Sequence, residues 1–306
     1  MSQPDTFHCV ENLTDVVWAN AERFGDTVSL RRRTEDTWLD VTAREFAGQV
    51  LGVAKGLIAA GLKPGDRVAV PSSASYEWPL AEFAAWTAGC VPVPASVADS
   101  AMFRPKVVEG ITDEQVHARR LAVGPDDVAT VRDDRPVTHD ELLAEVRSTI
   151  DDYRALLRPG SSMLIHLPPT QWFARVMSLA CLHARTTVGH SVRVSDVGTF
   201  RPNTVVTEPR LLEQAYAAAK TRAHAEDRGR LFHAAASVAV GYSMASSGGG
   251  PTVALRGKHL MASKFLYPKL RVALGGRCTA VISVGDPVDE RLRHFFQGIG
   301  IPVLRP

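Results

Sequence analysis

Two short stretches carry residue types and spacings able to handle a nucleotide. The first is Val131, Arg132, Asp133, Asp134 and Arg135, set within GPDDVATVRDDRPVTHDELLAEV at residues 124–146. An apolar run ends at Val131, charges follow, and a helix is predicted from Thr138. Strand, tight turn and helix is a layout in which proteins hold a phosphate on free backbone N–H groups. Such a turn needs glycine and neutrality, and this one has neither. It reads as a nucleotide site, the remnant of one, or an ordinary loop. The second stretch is Ser283, Val284, Gly285, Asp286 and Pro287, after a predicted buried strand and before a predicted helix. Ligands sit at such places in open parallel sheets. From these residues alone the leading reading is a plain βα turn, with Asp286 or Asp289 capping the helix.

Other chemistries are excluded by pattern. No G-x-G-x-x-G follows a strand, and neither G-x-x-x-x-G-K-[ST] nor G-x-S-x-G occurs. The ten histidines include no H-x-x-x-H pair, so no metal is expected. Cys9, Cys90, Cys181 and Cys278 lie far apart, which argues against a disulfide framework and for a reducing compartment. A formal charge of +2 over 306 residues is too small to argue for nucleic acid. Arg31, Arg32 and Arg33, the one dense basic cluster, read first as a solvated strand face and second as a contact for an anionic surface. The polar N-terminus shows no signal-peptide core. The apolar stretch 78–98 is broken by Glu82, Pro79, Pro92 and Pro94, so no transmembrane segment is expected. The expected location is cytoplasmic, with peripheral membrane contact left open.

The elements that must position these residues follow from apolar spacing. Helices are predicted at 12–24, at 43–60 behind the capping box TARE, at 76–88, and from Thr138 behind the capping box THDE. Further helices are predicted at 172–182, across 211–244 with a break near Arg228, at 255–273 with Leu260, Phe265, Leu266 and Leu270 inward, and at 289–297. Strands are predicted at 28–32, 37–41, 67–70, 90–93, 128–131, 163–167, 186–188, 204–207, 280–284 and 301–304. Residues 99–127 lose periodicity and read as a connector. The alternation predicts a layered α/β fold, with mixed and parallel sheets flanked by helices. The expected division is an N-terminal α/β part at 1–98, a connector at 99–137 and a second α/β part at 138–306.

LPPTQWFARVMSL (167–179), GTFRPNTVVTEPRLLEQAY (198–216) and LGGRCTAVISVGDPVDERLRHFFQGIGIPVL (274–304) resemble the bacterial long-chain fatty acyl-CoA synthetases. Those belong to the AMP-binding, adenylate-forming superfamily. GLKPGDRVAVPSSASYEWPLAEFAAWTAGCVPVP (61–94) is similar to a segment near the start of these enzymes. The resemblance runs almost from end to end, with gaps. It implies the large N-terminal domain of an adenylate-forming enzyme in incomplete form, and an activity that joins fatty acid to coenzyme A through an acyl-adenylate.

By the same resemblance, Ser283–Pro287 matches the S-G-G-A-P turn along the adenine, with Val284 for a glycine and Asp286 for an alanine. Gln171 matches the histidine of L-P-x-x-H, and Trp172 either lines or blocks the acyl entrance, or packs on the core as a helix residue. The segment matching DDVAT runs in the family into Y-T-S-G-T-T-G-x-P-K-G, which grips the ATP phosphates. Here V-R-D-D leads straight to RPVTHDELLAEV, so Val131–Arg135 marks the junction of a deleted loop. A second shortening follows Pro94. Family chains also continue past G-x-x-V-L into the metal-holding glutamate and a mobile C-terminal domain, whereas this sequence stops at Arg305 and Pro306. The resemblance thus implies a degenerate homologue without catalytic residues, metal or confident cofactor. Such a chain would bind long-chain fatty acid or acyl-CoA, or join a full-length ligase in a homo- or hetero-oligomer. The alternative is an active ligase using ATP, Mg and CoA, completed by a partner chain. Excision should also bare apolar surface or a strand edge.

Overall fold

The computed structural model describes residues 12–35, 37–95, 103, 105 and 108–306. In chain order the helices are α1 (Asp15–Phe24), α2 (Ala43–Ala59), α3 (Glu77–Thr87), α4 (Asp113–Leu121), α5 (His139–Asp152), α6 (Trp172–His183), α7 (Ser195–Phe200), α8 (Pro209–Ala225), α9 (Gly229–Ser246), α10 (Val253–Phe265), α11 (Tyr267–Arg271) and α12 (Glu290–Gly298). The strands are β1 (Val28–Arg33), β2 (Trp38–Thr42), β3 (Arg67–Pro71), β4 (Val91–Ala95), β5 (Val128–Arg132), β6 (Arg135–Thr138), β7 (Ser162–Ile165), β8 (Thr187–His190), β9 (Thr204–Thr207), β10 (Ala280–Ser283) and β11 (Val303–Leu304).

The chain divides into two units. The first takes the described residues of Met1–Glu35, Leu39–Gly160 and Pro168–Val188; the second takes those of Asp36–Trp38, Ser161–Leu167 and Gly189–Pro306. The layered α/β class expected from the alternation of elements is the class observed, with parallel pairing dominant and helices flanking the strands.

In the first unit β3 and β4 run parallel, joined through α3, and β5 and β6 form an antiparallel hairpin. Ten of the eleven residues of α3 are buried, which is why its sequence is apolar all round. Three helices of this unit begin with the same reciprocal cap. Thr42 with Glu45, Thr112 with Gln115, and Thr138 with Glu141 each exchange side-chain and backbone hydrogen bonds. The first and third are the predicted boxes. The middle one starts α4, a helix in the middle of what reads as a connector, and that reading is corrected here. Its cap, TDEQ, was in plain view, but a single buried apolar residue, Val116, leaves little periodicity to detect. Residues 99–102, 104, 106 and 107 of the expected connector, and Cys9, lie outside the described residues.

In the second unit β11, β10, β9 and β7 lie side by side in that order, all parallel. β9 and β10 are buried at every position. That is the pattern of strands covered on both faces. Below them Leu212, Phe232, Ala239, Phe295 and Ile301 join one apolar cluster. α12 meets α9 so closely that a Cβ on Gly298 would stand 2.1 Å from the Ala239 carbonyl oxygen. Only glycine permits that approach. The helix predicted at 255–273 is broken into α10 and α11, and its predicted inner face is wrong in part. Leu260 is 69% exposed and Phe265 55%. The inner face instead carries Ala262, with His259 stacked on Tyr242 at 3.6 Å.

Three buried histidines link this packing to pH. Burial holds His139 at about 4, His183 at about 4 and His190 at about 3. Neutral His139 accepts the Leu13 N–H on Nδ1 at 3.3 Å. All three are depressed below the unfolded value, so their stabilisation is complete above about pH 6.5 and is lost as pH falls toward 4. The melting temperature should therefore drop steadily between pH 6.5 and 4.5, before ordinary carboxylates titrate. A flat melting temperature across that window would show that these rings are not held neutral.

Candidate functional site

β5 and β6 pair with Arg132 opposite Arg135, so Asp133 and Asp134 make up the whole turn. Their φ angles are 49° and 62°. Two successive positive values are those of a type I′ hairpin turn, whose twist suits the flanking strands and usually calls for Asn-Gly. Aspartate tolerates this region better than most residues, though less well than glycine. The strand–turn–helix reading of this stretch is therefore corrected to strand–turn–strand–helix. A four-residue β6 was too short, and too polar at Arg135, to be recognised.

The charges around this tip are largely matched within the chain. The Arg132 guanidinium lies 4.6 Å over the Trp172 ring and 3.6 Å from the Glu145 carboxylate. Trp172 Nε1 donates to the same carboxylate at 2.5 Å. Arg135 reaches Glu141 at 3.4 Å, and the Asp133 side chain is 96% exposed. Two arginines thus face Asp133, Asp134, Glu141 and Glu145, an environment that repels a phosphate rather than collecting one. Trp172, at the start of α6, is half-buried as a lid on Arg132. Gln171 is the N-cap residue of α6 by position, with no capping bond from its side chain. Seven of the sequence-derived candidates, Val131, Arg132, Asp133, Asp134, Arg135, Gln171 and Trp172, thus fall in the first unit, and Arg132 and Trp172 are in contact.

One turn further along α6 lies a group that sequence reasoning missed. Arg175 is 1% exposed, Glu82 1% and Thr130 0%. Arg175 Nε donates to Glu82 Oε1 at 2.5 Å, Nη2 pairs with the same carboxylate, and Nη1 donates to Thr130 Oγ1 at 2.7 Å. The Thr130 hydroxyl in turn donates a hydrogen bond to the Pro92 carbonyl at 2.9 Å. Burial pushes the Glu82 carboxyl up, and the guanidinium pulls it back. A bulge makes the arrangement possible. The register slips between Val128 and Thr130, so Ala129 and Thr130 both face inward, and the Ala129 carbonyl accepts from Trp86 Nε1 at 2.8 Å. The signal was one charge inside each of two apolar helices, in WPLAEFAAW and WFARVMSL.

In the second unit the candidate turn follows β10. Ser283 is buried with its hydroxyl unpartnered among the described residues, and the Val284 N–H donates to the Thr207 carbonyl at 2.8 Å. Gly285 takes φ +89°, which a side chain rarely adopts, and Asp286 and Pro287 are exposed. Asp289, not Asp286, caps α12, accepting the Leu292 N–H at 2.9 Å. His166 lies at the same C-terminal edge of the parallel strands, one residue beyond β7. Its Nε2 is buried and unpartnered among the described residues. Burial lowers its pKa against the opposing pull of Glu208 and Asp196. Ser283, Thr207 and His166 thus mark the edge where open parallel sheets receive ligands. His166 was not singled out from the sequence, since nothing in IHLPP distinguishes it until the strand's direction is known. The same unit holds an open groove of about 750 Å³ lined by Ala219, Ala223, Phe232, Phe265 and Leu270, with Arg222, Glu226 and Lys269 also on its walls. No group of His, Cys, Asp and Glu able to hold a metal is present among the described residues.

Residues 17–109 match the model of the AMP-binding enzyme family. The long-chain-fatty-acid–CoA ligase FadD15 of Mycobacterium tuberculosis is 30% identical over 356 residues, covering 96% of this chain and 59% of its own length. The chain therefore spans about three-fifths of the curated relatives it matches. That alignment has 356 positions against 306 residues here, so at least fifty of them have no counterpart in this chain. In fold it is similar to the fatty acid AMP ligase of Legionella pneumophila, with TM-score 0.60 and 14% identity over 97% of this chain and 54% of that one. It is also similar to the A domain of a carboxylic acid reductase from Segniliparus rugosus, with TM-score 0.64 and 15% identity over 98% and 60%.

The buried Arg175–Glu82 pair yields a stability test. Arg175→Met alone should destabilise the protein by about 3–5 kcal/mol, because it strands a buried carboxylate. Glu82→Met added to it should recover much of that loss in a urea melt. Equal stability of the single variant and the parent would show that the pair is not a buried lock.

Proposed function

We propose that this chain is an acyl-CoA-ligase homologue of the AMP-binding enzymes that binds an acyl chain but does not adenylate it alone. The observation that carries this reading is the turn between β5 and β6, which consists of Asp133 and Asp134 only. Where the family pattern has a glycine- and hydroxyl-rich ribbon, this chain turns back in two residues. Phosphoryl chemistry on ATP rests on positioning and on donors aimed at the phosphates. Losing one preorganised donor typically costs about 10²–10³ in rate, and here the whole ribbon has no counterpart. The fifty or more unmatched positions in the FadD15 alignment support internal shortening of this kind.

What the chain retains suits an apolar ligand. The groove in the second unit is walled mainly by alanine, leucine and phenylalanine and is large enough for an extended hydrocarbon chain. On its walls Arg222 and Arg228 pair with Glu226, and Lys269 suits a carboxylate or phosphate head group. A long-chain fatty acid or acyl-CoA is the ligand proposed, and a full-length ligase the proposed partner. We place the chain in the cytoplasm, on the support of Cys90, Cys181 and Cys278, which are buried and in no disulfide among the described residues. Burial raises the Cys90 thiol to about 11 and the Cys278 thiol to about 12, so neither is a reactive thiolate.

The test uses purified chain with Mg-ATP, long-chain fatty acid and CoA. No AMP release is expected, while fatty acid or acyl-CoA alone should raise the melting temperature and Mg-ATP should not. AMP release dependent on fatty acid would overturn the proposal and favour an active ligase.

A further inference from the structure

From Arg228 to Gly285 the chain contains no aspartate or glutamate, yet it holds eight Lys and Arg residues. The rest of the sequence carries 27 Lys and Arg against 33 Asp and Glu. A chain of nearly balanced charge has thus concentrated its excess positive charge in one segment, which folds as α9, α10 and α11 of the second unit.

α10 carries this asymmetry on a surface with no internal task. Its inner side is already engaged: His259 stacks on Tyr242 and donates from Nε2 to the Gly298 carbonyl at 2.8 Å, and Ala262 is buried. Its outer side bears Val253 at 86% exposure, Leu260 at 69%, Met261 at 61% and Phe265 at 55%. Helical spacing interleaves these with Arg256, Lys258 and Lys264, all exposed and without an ion pair among the described residues. Of the large hydrophobic residues exposed in the described chain, most fall in α9, α10 and the turn after α11. Scattered exposed apolar residues need no explanation, but this concentration does.

We propose that the outward face of α10 is a docking surface for an anionic lipid bilayer. The chemistry decides among occupants. A purely apolar protein partner leaves the lysines and the arginine desolvated and unpaired, which is costly. A polyanion without an apolar layer leaves Val253, Leu260, Met261 and Phe265 in water. An anionic bilayer answers both at once, with head groups meeting the basic side chains and the apolar side chains entering the boundary beneath. The long stems of Lys258 and Lys264 can lie along the helix while their ammonium groups stay at head-group level. No helix among the described residues is long and apolar enough to cross a membrane, so the surface lies on the bilayer rather than spanning it. Phe265 belongs both to this face and to the open groove, so a chain leaving the lipid would meet the groove at the point of contact.

The proposal stands apart from adenylation and is tested without any acyl ligand. Purified full chain is floated with vesicles of phosphatidylcholine alone and of phosphatidylcholine mixed with phosphatidylglycerol. Binding is expected only to the anionic vesicles, and it should weaken as salt rises. Two independent variants, Lys258→Gln with Lys264→Gln and Met261→Ser with Phe265→Ser, should each lower the partition coefficient by roughly tenfold or more. Both alter exposed positions, and a circular-dichroism melt like the parent's confirms folding for each. Equal binding to neutral vesicles, no binding to either, or binding unchanged in both variants would overturn the proposal. So would a dimer in gel filtration that the Met261→Ser and Phe265→Ser changes dissociate, since the face would then be covered by a second copy.

Discussion

A guanidinium in an apolar interior must find partners for its charge and its donors, and that demand organises the first unit. Arg175 sits almost wholly out of water, and it draws Glu82 from α3 and Thr130 from β5 to itself. Thr130 can answer only because a bulge turns two consecutive residues of β5 inward. From there β5 has two further residues before its turn. The position of Arg132 beside Trp172 and Glu145 is therefore fixed from below by the buried lock and from above by its own ion pair.

The aspartate pair completes the hairpin. A two-residue turn needs two left-handed residues, and Asp133 and Asp134 supply them without the N–H-lined concavity that longer glycine-rich turns offer. Their carboxylates, with Glu141 and Glu145 close by, set the sign of the local field. The second unit has the opposite bias. Its acid-free run builds a basic, apolar surface on α9, α10 and α11, next to a groove of hydrocarbon character. One part of the chain gathers acidic side chains, and another gathers basic and apolar ones.

Much of this was legible beforehand. The boxes TARE and THDE located two helix starts because capping is local chemistry, readable from four residues. The buried strands were found from their apolar runs, at 204–207 as observed and at 280–284 against an observed Ala280–Ser283. Failures had two sources: β6 and α4 are short and carry little apolar periodicity, and other residues answer to partners remote in sequence. The roles of Glu82 and Arg175 depend on a contact between residues 93 positions apart. Leu260 and Phe265 were assigned inward because apolar residues at helical spacing normally are, and the stripe that packs was the other one. Placement alone does not reveal function either. Gln171 and Ser283–Pro287 fall at a helix start and a strand end, and their assigned roles rest on likeness to the family.

Whether residues 131–135 can receive a triphosphate is read most directly in the amide ¹H–¹⁵N spectrum of the full chain titrated with Mg-ATP, following the resonances of Val131 to Arg135. These resonances are expected to stay in place while saturating nucleotide is added. A saturable shift of the Asp133 and Asp134 amides would mean that this short turn does cradle phosphate, and would contradict that expectation.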